Sequence, residues 1–191
     1  MKLSELKDAH KEAVVVVGGS PSAEADVSEV LTRNGGFVVV SANQHAYLLG
    51  FIPVDYFVFL GKPDKVTINF DHRKTLLPYA QEPRGATRVS PHEKWSDVEF
   101  DVRPWHRGFT GHLAVWFACW ITSGPVYICG MDCYVGEKPY FHDQGNEMMP
   151  RFPKENHLRE WNRGIKEFRN PERVEVISGP LKELEWKNIN E

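Results

Sequence analysis

Apolar residues fall in short solid blocks along this chain, and the blocks alternate with stretches of helical periodicity. Val14-Val15-Val16-Val17 is the clearest block. Four β-branched residues in a row predict a strand over 13–18, covered on both faces. Gly18-Gly19 breaks it. Ser20-Pro21-Ser22 then opens a helix over about 22–33, in which Val27, Val30 and Leu31 fall at i, i+3 and i+4. Ser20 suits the N-cap and Pro21 the first helical position, where its missing N–H would have no partner. Asn34-Gly35-Gly36 stops the helix.

The pattern repeats downstream. Phe37–Ser41 is a second solid strand, Asn43–Leu49 a short helix and Tyr56–Leu60 a third strand. Residues 61–107 carry Pro, His, Arg and Trp with weak periodicity. They read as irregular surface or a lid, with one strand near Thr87–Val89. Residues 110–122 are apolar nearly all round and predict a central buried helix, followed by the strand Val126–Cys129. A polar loop spans 131–155. The helix over about 156–169 aligns His157, Trp161, Ile165 and Phe168 on one face, and Val174–Ile177 is the last strand. Residues 3–11 and the charged tail read as short helical pieces.

Strands alternating with helices predict a single Rossmann-like α/β domain over 1–191, with a mostly parallel sheet, helices on both faces, and irregular lid segments at 61–107 and 131–155. The length of 191 residues suits one domain with a sizeable core. Net charge is −3, which gives no support to nucleic acid as a partner. Cys119 and Cys129 lie in apolar segments and read as reduced thiols of a cytoplasmic protein, and Cys129 and Cys133 have no second pair to complete a zinc site. The first residues carry no apolar signal-peptide core, and no apolar stretch is long enough to span a bilayer.

In parallel sheets of this kind, ligands bind beyond the carboxyl ends of the strands. That rule singles out Gly18–Ser22, Ala42-Asn43-Gln44, Gly61–Asp64 and Gly130-Met131-Asp132. The glycine turn at 18–22 leaves backbone N–H groups converging where an anion, commonly a phosphate, is favoured; it reads equally as a plain strand-to-helix connection. His157 opens a helix that leads into a parallel strand. It therefore lies at the same sheet edge and faces inward, as a general base or as a core-edge histidine.

Other groups carry weaker signals. His142-Asp143 with Asp132 could hold a metal, and Trp105-His106-Arg107 could stack a ring or pack as a lid. His112 opens the buried helix and could touch ligand or cap its neighbours. Arg84, Arg88, Arg103 and Arg107 could line one positive rim or sit scattered on the surface. A Cys–His nucleophile is weak, because thiols in apolar segments are inert.

Four motifs in order carry a resemblance: Gly18-Gly19-Ser20-Pro21-Ser22, Ser41-Ala42-Asn43-Gln44, Arg107-Gly108-Phe109-Thr110-Gly111 and Tyr127-Ile128-Cys129-Gly130-Met131-Asp132-Cys133-Tyr134. Over about residues 13–178 the chain resembles the bacterial sialyltransferases that use CMP-sialic acid. It resembles equally the related domain of flagellin-glycosylation accessory proteins and archaeal 6-hydroxymethylpterin pyrophosphokinases.

The resemblance implies a nucleotide or nucleotide-sugar ligand, favouring the cytidine type, held by the glycine motif, Asn43, Gln44, Thr110, Gly111, Asp132 and Tyr134. It implies His157 as catalytic base, with Arg107 and Tyr140 at the leaving phosphate. The transferases need no metal; the pyrophosphokinases use ATP with Mg²⁺, for which Asp64 and Asp132 are the carboxylates. Two departures stand out. Gly19 occupies the place of an asparagine in the sialyltransferases, and the chain is shorter than theirs. A protein that keeps the nucleotide pocket without turnover is therefore a third expectation. The acceptor is not legible.

Overall fold

The computed structural model describes residues 1–33, 35–60, 85–93, 96–106, 109–133 and 154–187. Six strands form one all-parallel sheet: β1 (Ala13–Val17), β2 (Phe37–Ala42), β3 (Tyr56–Val58), β4 (Thr87–Val89), β5 (Val126–Cys129) and β6 (Val174–Val176), in the order β4-β3-β2-β1-β5-β6. Among the described residues the α-helices are α1 (Ala23–Arg33), α2 (His45–Leu49), α3 (Thr110–Ile121) and α4 (Lys154–Ile165). This is a Rossmann-like α/β fold, as the alternating pattern predicts.

The sheet is covered on both faces, which is why its strands read as solid apolar runs. Val14 and Val16 point to one face and pack with α3 and with Trp161 and Ile165 of α4. Val15 and Val17 point to the other and pack with Val27 and Val30 of α1 and Ala46 of α2. α3 buries nine of its twelve residues, from His112 to Ile121. Each fully buried large apolar side chain contributes about 1.5–3 kcal/mol, so α3 is the main anchor of its face. Arg173 holds the far end of α3 by donating from one guanidinium nitrogen to the carbonyls of Thr122 and Gly124, both at 2.7 Å.

Several boundaries differ from the sequence reading. β1 stops at Val17, although the Gly18 N–H still donates to the Cys129 carbonyl of β5 at 2.8 Å, as the Val14 N–H does to the Pro125 carbonyl at 2.9 Å. The segment read as a helix over 3–11 is a 3-10 turn at Leu3–Leu6. α4 begins at Lys154 and ends at Ile165, and Phe168 reaches the core from the turn that follows. The tail docks through a 3-10 turn, Pro180–Glu183, with Leu181 fully buried. Asn34 and the expected lid residues 61–84 and 134–153 lie outside the described residues. Among the described residues, no helix is long and apolar enough to cross a membrane.

Chain order fixes where a crevice opens at the sheet edge. From β1 the chain steps outward through β2, β3 and β4, then returns to lay β5 on the opposite side of β1. The connections after β1 and β5 therefore diverge, leaving a crevice at the carboxyl ends of these two strands.

Candidate functional site

A cavity of about 230 Å³ opens at this crevice. The turn after β1 contributes Gly18, Gly19 and Ser20, and the turn after β5 contributes Gly130, Met131, Asp132 and Cys133. Ala42, Asn43 and His45 come from the end of β2 and the start of α2. Phe109, Thr110, Gly111 and His112 come from the start of α3, and His157 and Trp161 from α4. Of the residues singled out in the sequence, Gly18, Gly19, Ser20, Ala42, Asn43, Thr110, Gly111, His112, Gly130, Met131, Asp132 and His157 meet here. Arg107, Tyr134, Tyr140, Asp64, His142 and Asp143 lie outside the described residues.

The turns after β1 and β5 form two interlocked lips. The Ser20 N–H donates to the Gly130 carbonyl at 2.9 Å. A Cβ on Gly18 would collide with that same carbonyl oxygen. Gly130 has φ +65° and would bring a Cβ to 2.5 Å from that of Ala23. Both positions therefore exclude a side chain.

Ser20 differs from its expected role. α1 begins at Ala23, and the Ser22 carbonyl accepts the Asp26 N–H at 2.9 Å. Ser20 is thus displaced from the N-cap by two residues. Its hydroxyl instead accepts the Asp132 N–H at 2.7 Å. The Ser22 hydroxyl donates to both carboxylate oxygens of Asp132, at 3.0 and 3.1 Å. Pro21 is exposed, and neither it nor Ser22 lines the cavity; Ser22 acts through Asp132.

Asn43 has φ +56°, a left-handed conformation that asparagine tolerates better than most residues. Its N–H donates to the Val58 carbonyl at 2.8 Å, and its carbonyl accepts the Ser41 hydroxyl at 2.6 Å. Ser41 in turn accepts the Ala46 N–H at 3.0 Å, which fixes the start of α2. This sharp turn carries Gln44 past the cavity and brings His45 to it. His45 is buried and was not singled out in the sequence. Its signal is its place two residues beyond Asn43, at the end of a buried strand.

α3 aims its N-terminus at the cavity. The capping residue Phe109 makes no side-chain cap hydrogen bond. Backbone N–H groups in the first helical turn lack intrahelical acceptors, and with the helix dipole they favour an anion. Gly111 keeps the wall close: a Cβ there would lie 3.4 Å from Met131 Sδ and 3.6 Å from Trp161 Cζ2.

The inner wall is aromatic. His157 is 4% exposed and packs on Phe109 with ring centroids 5.1 Å apart. Burial lowers its pKa below the ordinary histidine value of 6.5, so the ring is neutral at neutral pH. His112 lies between Trp161, at 4.3 Å, and Trp105, at 4.9 Å. Trp105 itself covers Gly164 of α4 and does not line the cavity, so it packs on the core as a lid would.

Asp132 is the cavity's carboxylate. Burial raises its pKa, the Ser22 hydrogen bond opposes that shift, and the charge of Asp26 adds to it. Burial also raises all three thiols, to about 12 for Cys119 and Cys133 and upward for Cys129. None is a thiolate at neutral pH, which removes the Cys–His reading. Arg88 bonds Asp97 at the edge of the sheet, at 2.6 and 3.0 Å, and is not part of a rim at the cavity. Among the described residues, no group of three or more His, Cys, Asp or Glu is arranged to hold a metal ion.

Fold and cavity together define a Rossmann-like α/β protein with a cavity at its switch point. Comparison of the chain with protein-family models, with curated proteins and with solved structures finds no match.

Proposed function

We propose that this protein is a nucleotide-sugar-dependent glycosyltransferase of the sialyltransferase-like kind, acting by direct displacement with His157 as general base. One observation carries the reading. A buried, neutral histidine shares one cavity with the glycine turn after β1 and the N-terminus of α3.

Their chemistry is complementary. A neutral imidazole accepts the acceptor's hydroxyl proton as the acceptor oxygen bonds the sugar's anomeric carbon. The bond from that carbon to the phosphate oxygen breaks in the same step. Negative charge then grows on the leaving nucleotide phosphate, where the backbone N–H groups at the N-terminus of α3 stabilise it. No metal is needed for this step. The cytidine preference and the roles of Arg107, Tyr134 and Tyr140 enter from the sequence resemblance.

The half-buried carboxylate of Asp132 at the cavity favours a second reading, an ATP-dependent pyrophosphokinase of the 6-hydroxymethylpterin type. Asp132 fits a Mg²⁺ ligand by charge and position, with Asp64 as its partner in that reading. Mg²⁺ would neutralise the transferring phosphates.

Thermal shift separates the two. The transferase reading expects CMP or CDP to stabilise the protein in EDTA. A ligand at 100 times its Kd adds about 2.7 kcal/mol, a readable shift. Stabilisation by ATP with Mg²⁺ and none by cytidine nucleotides favours the kinase. Nucleotide binding with neither transfer nor phosphorylation, across a broad substrate panel, favours a binding protein, a reading consistent with Gly19.

A further inference from the structure

Asp26 is an acidic residue in the first turn of α1, a place where carboxylates usually face water and complement the helix dipole. Here it is 4% exposed. Its Oδ2 accepts two hydrogen bonds, from the Gly130 N–H at 2.8 Å and from the Ser178 hydroxyl at 2.7 Å. One oxygen therefore ties together α1, the turn after β5 and the segment after β6.

The bond to Gly130 matters most. Gly130 has left the strand with φ +65°, so its N–H needs an acceptor outside the β ladder. Its carbonyl is already taken by the Ser20 N–H. Both of its backbone groups are thus spent on holding the two lips in register. Met131 and Asp132 follow directly and line the cavity, whereas Asp26 does not. A shift of Oδ2 moves the lip without touching a ligand.

We propose that Asp26 is a positioning residue for the nucleotide site: through Oδ2 it sets the height of the Gly130-Met131-Asp132 lip against Ser20 and the start of α1. The proposal rests on the nucleotide reading of the cavity. What Asp26 supplies is an acceptor at one point in space, and its charge is secondary. Asparagine, with its amide oxygen in the place of Oδ2, keeps both hydrogen bonds. Glutamate keeps the charge and moves the acceptor by one methylene.

The test measures amide hydrogen exchange and CMP affinity in Asp26→Ala, Asp26→Asn and Asp26→Glu. In Asp26→Ala the Gly130 and Asp132 amides exchange at least about tenfold faster, those of Val14–Val17 are unchanged, and CMP binds about tenfold more weakly. Asn restores both readouts to within about threefold of wild type, and Glu behaves like Ala. Should Ala fail to fold, the Asn and Glu pair decides. Retention by Glu with loss by Asn overturns the proposal in favour of a charge effect. Unchanged exchange at Gly130 and Asp132 in all folded variants overturns it too. A wild-type protein that binds no CMP defeats the nucleotide reading instead, and the exchange pattern then decides the positioning role alone.

Discussion

The backbone N–H of Asp132 donates a 2.7 Å hydrogen bond to the hydroxyl of Ser20, across 112 positions of sequence. This bond joins the turn after β5 to the turn after β1 at the point where the chain order reverses. Removing its acceptor leaves the Asp132 N–H without a protein partner, at about 1–2 kcal/mol for a half-buried group. Ser20→Ala is therefore expected to lower Tm by roughly 2–8 °C. It should weaken CMP binding as well, read by calorimetry. Unchanged affinity would detach this bond from the site.

The lip glycines should be far less tolerant than those that lead into β2. Gly18→Ala drives a Cβ into a backbone carbonyl, and Gly130→Ala adds a left-handed conformation to a 2.5 Å approach on Ala23. Each is expected to cost about 2–4 kcal/mol. Nothing lies within 4 Å of a Cβ at Gly36, so Gly36→Ala should stay within about 0.5 kcal/mol of wild type. Chemical denaturation of the three variants checks the contrast.

His157 makes two claims on pH. Its folded pKa is depressed by burial, so the unfolded chain binds the proton more readily. Its contribution to stability is fully present above the ordinary value of 6.5 and is lost as pH falls toward the depressed value. Turnover should fall in the same direction, because only the neutral ring accepts a proton. His157→Gln is expected to flatten the acid limb of the stability curve. Its turnover should drop by about 10²–10⁴ while CMP affinity is kept. Equal turnover in the variant removes His157 from the mechanism.

Thr110 separates fold from ligand. A carboxylate in the first turn of α3 complements the helix dipole, so Thr110→Glu should hold or raise stability by about 0.3–1 kcal/mol. The same charge repels an anion, and CMP should bind about tenfold more weakly. Thermal melts and a CMP titration on one preparation read both effects. A variant that binds CMP as tightly as wild type places the phosphate elsewhere.

The parts of this protein set by local pattern were legible in the sequence. Val14–Val17 had to be a doubly covered strand, Leu113–Ala118 a buried helix, and the carboxyl ends of the strands the edge at which a cavity opens. The union of Gly18, Asn43, Asp132 and His157 follows from the parallel order, and Thr110 joins them through the resemblance. What the local pattern hides is the choice between equivalent neighbours. Ser20 and Ser22 both offer a hydroxyl at the mouth of α1, and both hydroxyls turn to the distant Asp132, one accepting from its N–H and the other donating to its carboxylate. Gln44 and His45 are adjacent, and the left-handed turn at Asn43 decides which faces the cavity. Phe168 keeps the helical spacing of α4 but contacts the core from a turn, so periodicity extends the helix too far.

Calorimetric titration of the wild-type protein with CMP in EDTA tests the central claim most directly. The expected result is saturable one-site binding that Thr110→Glu weakens and His157→Gln preserves. Binding of ATP with Mg²⁺ in the absence of any CMP binding contradicts the transferase reading. No binding of either nucleotide contradicts the claim that this cavity is a nucleotide-phosphate site.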